Sequence, residues 1–222
     1  MNCPSPPLLT QALTHAQTEV NSATNAYNAA LESHYYTTTA AQAFLLVGIG
    51  DALSQAIEGR GQEDHATYDA VRTLRMASLG LVIGGFGTAC WLRHLEDWLP
   101  GHATGARVLQ KASIDAGLWA PFANTAYLVL VPLLEGKSER DVSRLLKERF
   151  VPVMQTELMT FFPYNLVSFS MIAPLYRPFT TGFVSCCFAV FISYVTHTSQ
   201  ADEAAAGAEE RASEVGPALV GE

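Results

Sequence analysis

Five stretches of the chain carry no Asp, Glu, Lys or Arg: residues 33–50, 76–92, 116–134, 158–176 and 178–201. Charge is concentrated between them, most densely over 58–75 and 135–149. A membrane-spanning helix needs about 20 mainly apolar residues, within a range of about 17 to 25. The uncharged windows sit close to that length, and helices are expected at about 36–57, 71–99, 107–134, 151–173 and 178–197. The fourth contains Pro152, Glu157 and Pro163 and is followed by Pro174 and Pro178, so a kinked, tilted or partly interfacial helix is expected there. Four and five crossings are both open. A soluble bundle with long buried helices is the competing reading, but several uncharged windows in one short chain fit poorly with two-faced soluble helices.

The ends differ from the middle. Residues 1–25 open with prolines and then run polar, as a loose lead or a marginal helix. A helix is expected from about Asn25, with Tyr27, Leu31 and Tyr35 on one side. The bundle then occupies 26–197, and the Ala/Glu/Gly-rich stretch 198–222 is expected to be disordered. Residues 135–150 are of another kind. Ser138 and Asp141 have the spacing of a capping box, and Val142, Leu145, Leu146 and Arg149 follow at helical intervals. That pattern predicts a short amphipathic helix on the membrane surface or an ordinary solvated connector.

Composition supports the membrane reading and narrows the chemistry. Charged residues are 15% of the 222, against a usual quarter or so. Ser, Thr, Asn, Gly and Pro recur in the windows, as in helices that face each other or a wet cavity. The formal charge of −8 excludes a nucleic-acid binder of the basic kind. Cys3, Cys90, Cys186 and Cys187 show no CxxC spacing, and the histidines form no HExxH, so no metal is expected. No Lys or Arg precedes Arg60, so a basic secretory signal or Arg-rich presequence is not expected and targeting would be internal. The loops 58–75 and 135–149 are richer in Lys and Arg than the loop holding Arg93, Arg107 and Lys111, a weak sign that they share one side.

Within the windows, a few polar positions stand out. Phe44, Gly48, Asp51 and Gln55 line one helix face, with a carboxylate and an amide one turn apart beside a glycine. Intramembrane acids are functional candidates by default, with interhelical pairing as the alternative. Gly80, Gly84, Gly87 and Trp91 share a face of the second helix, and Gly80 with Gly84 has the small-residue spacing that brings helices close. Arg72 and Arg75 precede it, placed to snorkel to headgroups or to meet an anionic solute. Lys111 and Asp115 are four apart on the third helix, which permits an ion pair. No GxSxG elbow, P-loop or complete GxGxxG occurs, so no enzyme is expected.

Taken in order, these motifs resemble the peroxisomal membrane protein family that includes the Mpv-seventeen type mitochondrial inner-membrane proteins. The resemblance runs from Tyr27 to about His197. Tyr27, Leu31 and His34 resemble its opening Y-x3-L-x2-H, and Gly50, Asp51 and Gln55 its GD-x3-Q. Asp69, Arg72, Arg75, Gly80, Gly85 and Trp91 resemble the second segment, and Leu99-Pro100-Gly101 the turn after it. Lys111, Asp115 and Pro121 resemble the third, and Pro163, Pro174 and Arg177 the C-terminal signature. The chain departs from the pattern at Phe86, Ala89, Leu92, Ala116, Phe162, Leu166 and Phe169, and Arg177 comes one residue early. The resemblance implies a four-helix protein of a mitochondrial, peroxisomal or plastid membrane, no cofactor, and an association with passage of small solutes.

The expectation is therefore an all-α polytopic membrane bundle in contact with the lipid bilayer, with self-association left open. It would carry small solutes past Asp51 and Gln55 first, then Asp115, with Arg75 and Arg177 as flanking charges. Gly48, Gly80, Gly84 and Gly87 would pack the helices. The rival is a non-transporting structural membrane protein whose acids pair internally.

Overall fold

A computed structural model describes residues 8–59 and 68–191; among them the chain is helical with short connections and no strands. Helix α1 is Leu8–Ser33 and α2 is Tyr35–Glu58. Helix α3 is Ala70–Trp98, α4 is Gly105–Leu134, and α5 is Glu139–Met171. A short 3₁₀ turn, Pro174–Tyr176, leads into α6, described over 177–191. The tail from 198 and the end of the last expected helix lie outside the described residues.

Caps explain where several helices begin. Asp69, Thr104 and Ser138 precede α3, α4 and α5, and each accepts from a backbone N–H three residues on, at Arg72, Arg107 and Asp141. Gly101 and Gly136 adopt φ of +108° and +79° in the loops after α3 and α4, a region costly for residues with a Cβ. Helix α1 begins well before Asn25, and residues 11–26 are exposed. Its last turns dock on the C-terminal segment: Tyr27 meets Phe179 edge-on, and Asn28 accepts a 3.0 Å bond from the Tyr176 hydroxyl. The Gln42 amide also donates to the Tyr27 hydroxyl at 2.9 Å.

Three helices among the described residues, α2, α3 and α4, are long and apolar enough to cross a membrane. The fourth expected span is the second part of α5, and the fifth is α6, of which 15 residues are described. The amphipathic stretch is not a separate helix. It forms the opening turns of α5, which runs 33 residues through Pro152 and Pro163. Proline in a helix interior removes one backbone bond and kinks the helix more often than it ends it inside a packed membrane bundle.

The distribution of exposure is that of a membrane protein. Leu45, Val82, Phe86, Leu118, Phe122 and Met159 face outward, while Thr39, Asp51, Lys111, Asp115, Asn165 and Arg177 are buried. Water would make that arrangement costly, whereas lipid accepts the apolar exterior and helix packing satisfies the polar interior. The apolar core proper is small, built from Leu92, Leu95, Val108, Ala112 and Phe169 at one end of the bundle.

Two segments depart from regular α-helix. Gly80–Gly87 in α3 and Asp115–Trp119 in α4 are π-helical, with wider turns closed by i→i+5 bonds. The first changes which glycines pack. A Cβ on Gly80 would lie 2.7 Å from Val47 Cβ, and one on Gly85 only 2.6 Å from Ala40 Cα. Gly80 and Gly85 are five apart, so the wider turn puts them together against α2. Gly84 is left in ordinary contact, its nearest neighbour the Tyr127 hydroxyl at 3.6 Å. Gly48 approaches Ala77, and Gly87 approaches Trp119.

Candidate functional site, a polar cavity between the membrane helices

A cavity of about 820 Å³ opens between α2, α3, α4, α5 and α6. Its apolar wall includes Val47, Ile83, Trp119, Tyr127, Phe161 and Phe188. Asp51, Glu58, Asp115 and Glu157 bring four carboxylates to it, and Arg72 is the one cation among the described lining residues. Such a mixture of apolar wall and a few placed polar groups is usual for small-molecule sites.

At one end Asp51 ties α2 to α3. One carboxylate oxygen accepts from Arg72 Nε at 3.0 Å, and the other from the Thr73 hydroxyl at 2.6 Å and the Gln55 amide at 2.8 Å. Arg72 continues to Glu58 with bonds of 2.8 and 3.2 Å. Gln55 reaches the start of α3, accepting from the Asp69 backbone N–H at 2.8 Å and donating to the Asp69 carbonyl at 3.1 Å. Gln55 is thus a strut beside the cavity and is absent from its lining. The Arg72 and Glu58 side chains are 40% and 43% exposed, so their pair is worth at most about 1 kcal/mol. The Asp51 carboxylate is 6% exposed and depends on its partners more heavily.

Deeper in the bundle, Asp115 lies at the start of the second π-helical segment. The Trp91 indole N–H donates to one oxygen at 2.7 Å, and the Asn165 amide donates to the other at 2.6 Å. Trp91 stacks on Trp119, with centroids 5.7 Å apart and planes 13° from parallel. The π-helical turn therefore places Asp115 and Trp119 together on the cavity wall. Glu157, on α5, is half-buried and lines the same cavity, as does Asn124, whose amide donates to the Ala120 carbonyl at 2.8 Å.

The other charges lie elsewhere. Arg75 is half-buried outside the lining, and Arg72 occupies the place expected of it. Arg177 is also outside: it pairs with Glu96, donates to the Ile172 carbonyl at 2.9 Å and lies over the Phe169 ring at 5.1 Å. Lys111 bonds Glu96 at 2.6 Å in place of Asp115. Glu96 thus holds two buried cations, from α4 and from the start of α6. Glu96 and Glu157 were not singled out by sequence. Glu96 sits beside aromatic and charged residues with no visible partner, and Glu157 reads as a flaw in a span. Among the described residues no group of three metal-ligating side chains occurs.

Membrane-length helices, an apolar exterior and an acidic internal cavity define a polytopic integral membrane protein. The Mpv17 / PMP22 family model matches residues 132–193. Rat mitochondrial inner membrane protein Mpv17 is 33% identical over 172 residues, covering 77% of this chain and 94% of that protein. Protein SYM1 of Eremothecium gossypii is 29% identical over 78% of this chain and 95% of its own length. PXMP2/4 family protein 2 of Dictyostelium discoideum is 23% identical over 77% of this chain and 89% of its own. The chain belongs to the Mpv17/PMP22 family and is a protein of an organellar membrane. No solved structure matches it.

Proposed function

We infer that the protein provides a passive path for small polar solutes across its membrane and does no chemistry on them. The observation that carries this reading is the cavity itself, an 820 Å³ space lined by four carboxylates between helices whose outer surfaces are apolar. Polar groups on such a wall partly replace the water around a solute, and the acids bias passage against anions. The likeness to mitochondrial inner membrane protein Mpv17 favours that membrane, with the peroxisomal membrane as the alternative.

A structural role is the second reading, and the Asp51 cluster favours it. That carboxylate is fully engaged with Arg72, Thr73 and Gln55, as an interhelical clamp would be. Flux into liposomes separates the two. Purified protein is expected to admit glycerol- to sucrose-sized solutes, and Asp115→Asn is expected to change the preference between charged and neutral ones. Equal entry with and without protein would overturn the path and leave the clamp.

A further inference from the structure

We propose that the solute this cavity selects is an organic ammonium cation, held at the wall that carries Asp115 and Glu157; this rests on the permeation reading and names its substrate class. Charge is unevenly balanced across the cavity. Arg72 is the one cation among the described lining residues, and its guanidinium is already shared between Asp51 at 3.0 Å and Glu58 at 2.8 Å. That end of the cavity supplies its own counter-charge. The other end does not. Asp115 is met by two neutral donors, Trp91 and Asn165, and Glu157 shares the cavity wall with the neutral Asn124. Neither acid forms an ion pair among the described residues, and both line the one cavity. Two like charges facing one space of low polarity are unfavourable together, and a cation between them relieves both.

The wall around them is aromatic. Trp119, Tyr127, Phe161 and Phe188 line the same cavity. Aromatic faces attract ammonium groups, most strongly where water is excluded. They offer nothing to a bare metal ion, which needs oxygen ligands in place of its water shell, and no three-ligand cluster is present among the described residues. An anion would meet the carboxylates with like charge. A volume of about 820 Å³ falls in the range of sites that enclose a small organic molecule.

Choline is a suitable probe because its charge is permanent and it crosses plain lipid poorly. Choline and glycerol entry are measured in liposomes with and without protein. The expected result is a choline preference of about tenfold, the factor given by about 1.4 kcal/mol of differential contact. Glu157→Gln should bring the choline-to-glycerol ratio towards one. If that variant does not fold, Phe161→Leu should lower the same ratio through the aromatic wall. Entry of both solutes with no choline preference would overturn the proposal and leave the path standing, as would a preference unaltered by a folded variant. If neither solute enters, the path fails, and the site is judged by heat stability in detergent. Choline raising the melting temperature of the wild type but not of Glu157→Gln would then support it, and no rise in the wild type would overturn it.

Discussion

Glu96→Ala is expected to be the most destabilising single truncation of a charged side chain, by about 3–5 kcal/mol, the cost of leaving buried charges without their partner. Lys111 and Arg177 are each 5% exposed, and both point to this one carboxylate. Arg177 keeps the Ile172 carbonyl at 2.9 Å and the Phe169 ring, so it loses part of its environment. Lys111 has no other hydrogen bond or ion pair among the described residues. The cost should therefore fall mainly on Lys111, and Glu96→Ala with Lys111→Met should be more stable than Glu96→Ala alone. Thermal unfolding in detergent measures both. Additive losses in the double variant would mean that the pair is not coupled.

Gly85→Val comes next. A Cβ there would sit 2.6 Å from Ala40 Cα and 3.1 Å from the Thr39 carbonyl oxygen, and backbone atoms cannot turn aside as a side-chain tip can. Helix α3 would have to move away from α2, at a cost above the usual overpacking range of about 1–3 kcal/mol. The informative control is one residue away. Gly84→Ala would place its methyl 3.6 Å from the Tyr127 hydroxyl, an ordinary contact, and removes a glycine from a helix interior. Its melting temperature should stay near that of the wild type, while Gly85→Val should lose the folded fraction. Equal sensitivity at both positions would contradict the π-helical register of Gly80–Gly87.

That register marks the boundary of what the chain discloses in one dimension. Swept-out charge is a property of composition, so the first three spans are legible from windows alone. The Asp51 face is legible because Gly48, Asp51 and Gln55 keep α-helical spacing within one element. The glycine seam is only half legible. Spacing of four points to Gly84, and no local residue type announces the inserted residue that makes Gly85 its partner. Arg72 and Arg75 are both plausible at helical spacing, and only the position of Glu58 and Asp51 across the interface selects Arg72. Glu96 and its partners are 15 and 81 residues apart, beyond any spacing rule. Glu157 lies among two prolines and looks like damage to a span until α4 and α5 pack to make one wall.

Water and solute are expected to reach the space between these helices in the membrane. Cys186 lines the cavity, is half-buried, and sits beside Gly50 of α2. The most direct measurement is therefore the reaction of a charged, membrane-impermeant thiol reagent with organelle membranes carrying a variant in which Cys186 is the sole cysteine. Modification of Cys186 is expected, slowed by solutes that occupy the cavity. Modification by an apolar, lipid-soluble maleimide alone would contradict it.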